Sequence, residues 1–326
     1  MVNSVERETK ILVTIVTAVL FIAAGAAIIV PTIVPPDVRI GFLTRDLHQL
    51  ALRVALDNGY FLDEGITVEL VEFGTGALEM TGFVGGLVDM GYVGAAPALM
   101  SHINTGISIK LLAGANLEGS AIVVNNGINK TAELAGKKMA TPAKGNVQDI
   151  LLALASEQAG LNYKTDFTVV YLSPTLMIQE LQTAQIDGFV AWEPYISNSQ
   201  AQGVGKILNT SHEIWPGHPC CVVVCQSSFL QTKPDIVAKV IRAHLRATEF
   251  IRTHHAEAVA IASAWTGLGQ AIIEQAMSRV LFNESLIADG YRTYVTELVK
   301  YAYVPSMNAA QINALLADII DPEFLS

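Results

Sequence analysis

Residues 87–100 read LVDMGYVGAAPALM. A short apolar run, Met90 to Val93, stops at Gly94-Ala95-Ala96-Pro97, and helically spaced apolar residues follow. This is the pattern of a strand, a turn of small residues, and a helix carrying Pro97 in its first turn. No bulky side chain covers the turn, so the first backbone N–H groups of the helix are open. Such a helix start suits an anion or a polar acceptor. It also reads as a plain strand–helix connection, since Gly and Pro punctuate most turns of this kind.

Working outward, the same alternation recurs. Strands are expected at Val38–Leu43, 67–73 (TVELVEF, period two), 109–113, 121–125, 139–141, 167–172 and 187–192. Helices are expected at 47–58, after Gly74-Thr75-Gly76, over 147–158 with Asn146 as N-cap, and after Ser173-Pro174 and Glu193-Pro194. The run at 220–225 is a further strand. Beyond Ser227 the pattern is almost all helical, at 234–253, 255–265, 270–277 and 307–319. Strand–helix alternation of this sort predicts an α/β fold with mostly parallel sheets covered by helices on both faces.

Composition narrows the functional classes. Charged residues make up 15% of the 326 and apolar ones 51%, so the chain is globular rather than disordered. A formal charge of −10 argues against nucleic acid as a partner. The uncharged run Ile11 to Val34 is long enough to span a hydrocarbon core of about 30 Å. Arg7 and Lys10 precede it, which orients residues 1–10 to the cytoplasm and the folded part outside. The run serves as an uncleaved single-pass anchor at the cell membrane, or as a signal cleaved near Ala24-Gly25-Ala26. Residues 35–37 form a short linker. The three cysteines, Cys220, Cys221 and Cys225, lie bunched in one apolar run and read as small buried hydrophobes, not as a disulfide framework.

Several blocks carry a family resemblance. His48, Ala55, Gly59-Tyr60-Phe61, Asp63-Glu64-Gly65 and Phe73-Gly74-Thr75-Gly76 follow one another as they do in the solute-binding proteins of ABC importers. The group is the one that handles nitrate, sulfonates, taurine and thiamine-pyrimidine precursors. LVDMGYVGAAPALM, ANLEGSAIVV, ATPAKGNVQDILL, LQTAQIDGFVAWEPY and HPCCVVV extend the resemblance over most of residues 38–230. It implies a two-lobed, type II periplasmic-binding-protein-like fold. One lobe is expected from 38–117 with 222–326 and the other from 118–221, with crossings near 114–121 and 214–222. It also implies an extracytoplasmic binding domain, a monomeric ectodomain, a small-molecule solute, and ABC permease and ATPase subunits as partners, with no cofactor.

Ligands of open α/β sheets bind at the C-terminal ends of strands. The expected binding residues are therefore Arg45, Asp46, His48, Gly74, Thr75, Gly94, Ala95, Ala96, Glu118, Gly119, Ser120, Lys144, Gly145, Asn146, Val147, Trp192, Glu193 and His218. His48 and His218 lead this set. The mixture of basic and acidic groups suits a zwitterion or an amine-bearing heterocycle as well as an oxyanion.

Enzyme motifs are sparse. Gly74-Thr75-Gly76 lacks the third glycine of a dinucleotide turn, with Glu79 in that place. There is no phosphate loop, no Gly-x-Ser-x-Gly elbow and no His-Glu-x-x-His. His254 and His255 would point about 100° apart on a helix, so no metal site is expected. The alternative is a pyrimidine-precursor synthase-like enzyme of the same fold, since a fungal synthase that resembles these proteins carries a run of three cysteines. Here Val222 stands where the third would be, and the expectation is a binding protein without catalysis.

Overall fold

The computed structural model describes residues 35–325. The expected membrane segment lies outside them. Among the described residues no single helix is long and apolar enough to cross a membrane.

The strands in chain order are β1 (Val38–Leu43), β2 (Val68–Phe73), β3 (Met90–Gly94), β4 (Ile109–Gly114), β5 (Asn116–Glu118), β6 (Ser120–Val124), β7 (Lys138–Thr141), β8 (Thr168–Tyr171), β9 (Gly188–Trp192), β10 (Lys206–Thr210), β11 (Cys221–Gln226) and β12 (Val280–Phe282). They form two five-stranded sheets, ordered β2-β1-β3-β11-β4 and β10-β6-β9-β7-β8. β5 and β12 make a two-stranded ribbon.

The sheets are mixed, which corrects the expectation of mostly parallel pairing. β1 runs parallel to β2 and β3, but β11 enters between β3 and β4 antiparallel to both. In the second sheet β7 is parallel to β8 and β9, while β6 is antiparallel to β9 and β10. The cause is the double crossing. The chain leaves the first sheet through β4 and β5 into β6, and returns past Pro219 into β11. Leu117 and Pro219 pair where the two passages run side by side.

The local chemistry explains the elements. β3, β9 and most of β11 are buried on both faces, as their unbroken apolar runs require. β2 sits at an edge and keeps Glu69 and Glu72 outward. Asn146 caps the helix Val147–Gln158, its Oδ1 accepting from the Asp149 N–H at 2.9 Å. The helix Pro234–Thr253 buries Val237, Val240, Ile241, His244, Ala247, Thr248 and Ile251, one stripe at helical spacing. The segment expected to be helical from Leu47 begins as a tight 3₁₀ turn, Leu47–Gln49, capped by Asp46, before the α-helix Leu50–Asp57. A helix at Ala288–Lys300 and the strand β12 were not among the expected elements.

Packing divides unequally. One core joins the first sheet to the long C-terminal helices and continues under the helix Val147–Gln158. A smaller one gathers Met177, Ile178, Leu181, Phe189, Trp192 and Ile196 behind β6, β7 and β9. The loops at the C-terminal ends of β1, β3, β7 and β9 meet between the two sheets.

Candidate functional site

A cavity of about 20 Å³ lies where these loops meet, room for a water-sized guest. From the first sheet it is lined by Leu43, Asp46, His48, Gly76, Gly94, Pro97, Cys220 and Cys221. From the second come Asn146, Val147, Gln148 and Trp192. The two turns of small residues thus face each other. A Cβ on Gly94 would lie 3.3 Å from Val147 Cγ2, so glycine lets the two sides approach.

The polar wall of this cavity is built on His48. Its Nε2–H donates to the Gly119 carbonyl at 2.9 Å, across the crossing segment. That bond fixes the ring and turns Nδ1 toward Cys220 Sγ at 3.3 Å, Asp46 Oδ1 at 3.6 Å and Cys221 Sγ at 4.0 Å. Gly119 has φ +83°, and a Cβ there would stand 2.3 Å from His48 Nε2. Asp46 accepts from the His48 N–H at 3.0 Å and from Gln49 Nε2 at 3.3 Å, and Gln49 Nε2 also reaches the Tyr92 carbonyl at 2.6 Å.

Burial and mutual charge set the protonation of this group. Burial pushes the Asp46 carboxyl up to about 7. Burial opposes charge on His48, yet Cys220 and Asp46 beside it raise the ring to about 9. Burial also opposes a Cys220 thiolate, but the Cys221 thiol and His48 bring it well below the ordinary thiol range. Cys221, hydrogen-bonded to Cys220 and buried, moves the other way. The cluster therefore favours one thiolate, on Cys220, facing an imidazolium.

The remaining expected residues divide. Asn146, Val147, Gly94 and Trp192 line the cavity, and Trp192 Nε1 is a buried donor with no partner. Ser120 stands behind the wall, its Oγ accepting from Gln148 Nε2 at 3.0 Å. Gly145 turns with φ +70° and donates to Asp149 Oδ2 at 2.8 Å. Ala95 and Ala96 open the helix Ala95–Thr105, with the Ala95 N–H tied to the Cys220 carbonyl at 2.7 Å. Thr75 caps the helix Gly76–Val84, and Gly74 precedes it.

Others stand apart. Lys144 is exposed, its Nζ 4.8 Å from the centre of the Tyr303 ring. Arg45 lines a separate groove with Thr175, Gln179, Tyr195 and Asn198. Glu193 is paired with Arg279 at 2.7 Å and bonded to Ser197. Glu118 accepts from the Gly217 N–H at 2.7 Å and from His212 Nδ1 at 2.8 Å, tying the two crossing segments together. His218 is buried beside Trp215; its Nδ1 meets the Tyr294 hydroxyl at 3.2 Å, its Nε2 has no partner, and burial lowers its pKa.

Six lining residues fall outside the expected set: Leu43, Gly76, Pro97, Gln148, Cys220 and Cys221. The cysteines are buried in the apolar core, as expected of small hydrophobes, yet their sulfurs also face a histidine 172 and 173 positions away. The signal that could have found the cysteines is their place, at the start of β11 on the return crossing.

The model of the NMT1-like family matches residues 33–266. The chain belongs to this family. A nitrate import ATP-binding protein of Synechococcus elongatus is 32% identical over 232 residues, 65% of this chain and 35% of that one. The chain thus spans about a third of that protein's length. A putative aliphatic sulfonates-binding protein of Bacillus subtilis is 25% identical over 297 residues, covering 89% of this chain and 87% of its own. The crystal structure of the periplasmic nitrate-binding protein of Synechocystis superposes with a TM-score of 0.79 at 15% identity, over 90% of this chain and 88% of that one. That likeness shows the fold, an α/β periplasmic-binding-protein fold with mixed sheets.

Proposed function

We propose that this family member is the extracytoplasmic solute-binding component of an ABC importer. It captures a small polar solute between two lobes, 38–117 with 222–326 on one side and 118–221 on the other. It then hands the solute to a permease served by an ATPase. The carrying observation is the cavity itself: both sheets contribute to it, and Trp192 presents an unpartnered N–H beside Asn146, Gln148 and His48. A buried donor without a partner costs stability, and a solute acceptor would recover it. The relatives named for nitrate import and aliphatic sulfonates point to a sulfonate, taurine-like or nitrate-like solute. A thiamine-pyrimidine precursor fits the mixed polar wall too.

The cavity has room for about one water-sized guest and all of these solutes are larger, so on this reading the halves part to admit one. Binding then shifts the population toward closure and requires no bond chemistry. Residues 11–34, by their apolar length, would hold the domain at the membrane.

The test is a melting-temperature screen against nitrate, bicarbonate, taurine, alkanesulfonates and aminopyrimidines. Solute at a hundred times its dissociation constant adds about 2.7 kcal/mol. The matching compound also changes Trp192 or Trp215 fluorescence, and Trp192→Phe weakens it about tenfold. If no compound shifts either signal, the importer reading fails for this solute class.

A further inference from the structure

Three soft or borderline donors converge on one side of the cavity. Cys220 Sγ, Cys221 Sγ and a His48 ring nitrogen all lie within 4.8 Å of one another, and all three residues are buried. Ligand atoms around one tetrahedral zinc ion stand roughly 3.3–3.8 Å apart, given Zn–S near 2.3 Å and Zn–N near 2.0 Å. The Cys220–His48 separation of 3.3 Å falls in that range, and the Cys221–His48 separation of 4.0 Å needs only a small rotation.

We propose that Cys220, Cys221 and His48 bind a divalent thiophilic cation of the zinc class, with its fourth position open to the cavity.

The surroundings support the assignment independently of the distances. A ligating histidine usually donates its other N–H to a carbonyl, which fixes the tautomer and aims the lone pair. His48 Nε2 does this to Gly119, leaving Nδ1 toward the sulfurs. The charge also closes. Two thiolates, a neutral imidazole and a divalent ion sum to zero, which a site without solvent tolerates. A monovalent ion would leave a net negative charge buried. Binding releases two protons to water, one from the Cys221 thiol and one from the His48 imidazolium, and moves no electron.

The fourth position follows from the lining. The three donors line the same cavity as Trp192, whose indole N–H has no partner. A water or an anionic oxygen on the ion has room there. That last step rests on the solute-binding reading; the ion itself does not.

The experiment is titration of the reduced, metal-free, full-length protein with Co(II), then with Zn(II). The expected result is one cobalt per chain, with thiolate-to-cobalt charge transfer in the near ultraviolet and the strong visible bands of four-coordinate cobalt. Zinc should bleach both. Cys220→Ser and Cys221→Ser each lose the charge-transfer intensity of one sulfur and bind more than ~100-fold more weakly, and Gly119→Ala weakens binding ~10–100-fold. Cys225→Ser, outside the trio, leaves the spectrum unchanged. His48→Gln, whose melting is checked first, separates loss of a ligand from loss of the fold. Absence of charge transfer in the unaltered protein overturns the proposal. So does an unchanged spectrum in the Cys220→Ser, Cys221→Ser double variant. A blank solute screen beside a positive cobalt spectrum sinks only the transport reading, and the reverse result sinks only the metal site.

Discussion

Glu193, just past the end of β9, and Glu79, on the helix Gly76–Val84, are both fully inaccessible to solvent. Glu193 Oε1 accepts from Arg279 Nη1 at 2.7 Å and from Ser197 Oγ at 3.0 Å, while Oε2 accepts from the Ser197 N–H at 3.0 Å. Neither oxygen of Glu79 has a partner. It lies in a slot that Gly41 of β1 and Gly91 of β3 leave open, since a Cβ on either would stand 2.7 or 2.4 Å from its Oε1. Burial raises both carboxyls. Arg279 opposes that at Glu193, whereas nearby Asp46 adds to it at Glu79. The first acid is a fixed charge that holds distant segments together. The second is a neutral acid inserted into a core behind the cavity. Burial alone therefore does not say what a carboxyl does; the partner supplied by the fold does.

The largest effect should come from breaking the paired acid. Arg279→Ala leaves Glu193 buried without its counter-charge, and loss of one member of a buried pair costs about 3–5 kcal/mol. A melting curve should fall by several degrees. If Arg279→Ala melts like the unaltered protein, the pair contributes nothing and the contrast with Glu79 collapses.

A third buried group sharpens the comparison, because it is paired yet uncharged. His244 Nε2 donates to the Gly114 carbonyl at 2.9 Å and Nδ1 accepts from the Tyr92 hydroxyl at 3.1 Å. Burial lowers its pKa from 6.5 to about 4, against the pull of Gly114 and Glu284. The folded state therefore binds fewer protons than the unfolded state between those values. Stability from this residue is complete above about pH 6.5 and is lost as pH falls toward about 4, up to an amount on the order of 3 kcal/mol. His244→Gln can keep both hydrogen bonds and has nothing to protonate. Its melting temperature should fall less steeply with acid over that window. Parallel acid limbs for the two proteins would show that His244 is not the titrating group.

These residues also mark how far the sequence could be read. The helices 147–158 and 234–253 were expected with the observed bounds, because capping and periodicity are local properties. Strand direction was not legible. Whether β11 lies parallel or antiparallel to β3 depends on the crossing path, not on CVVVCQ itself. The helix Ala288–Lys300 was legible but not read: Tyr291, Tyr294, Val295 and Leu298 keep helical spacing and are all buried. In the site, the turns at Gly94 and Asn146 were found from their small and capping residues. Glu193 looked like a ligand only because Arg279, its partner, is 86 residues away. Cys220 and Cys221 looked like filler because His48 is twice as remote in sequence. Glu79 was visible only as the residue standing where a third glycine would be.

Glu79 itself offers the next test. If it is a neutral acid with no partner, an apolar side chain of similar length should fit the same slot and remove an unsatisfied group. Glu79→Met is expected to stabilise the protein by about 1–3 kcal/mol. A lower melting temperature would mean that Glu79 stabilises the fold through a partner, whereas a higher one is what a role at the cavity, kept at the expense of stability, would give. Loss of solute binding in a stabilised variant would locate that role.

The smallest effect belongs to the acid that is half paired. Glu118 accepts from the Gly217 N–H at 2.7 Å and from His212, whose side chain is 67% exposed. Removing His212 leaves Glu118 its backbone donor, so no buried charge is abandoned. The lost ion pair is an exposed one, worth little in water and screened by salt. His212→Ala should therefore melt within error of the unaltered protein at moderate ionic strength, below the shift for Glu79→Met. The hydrogen bond that His212 donates to Glu118 raises the His212 pKa, so whatever this pair contributes is present below the ring's ordinary value and fades as pH rises past its raised one. A fall as large as that of Arg279→Ala would place His212 among the supports of the crossing segments. The line between paired and unpaired acids would then run through exposure as well as through partners.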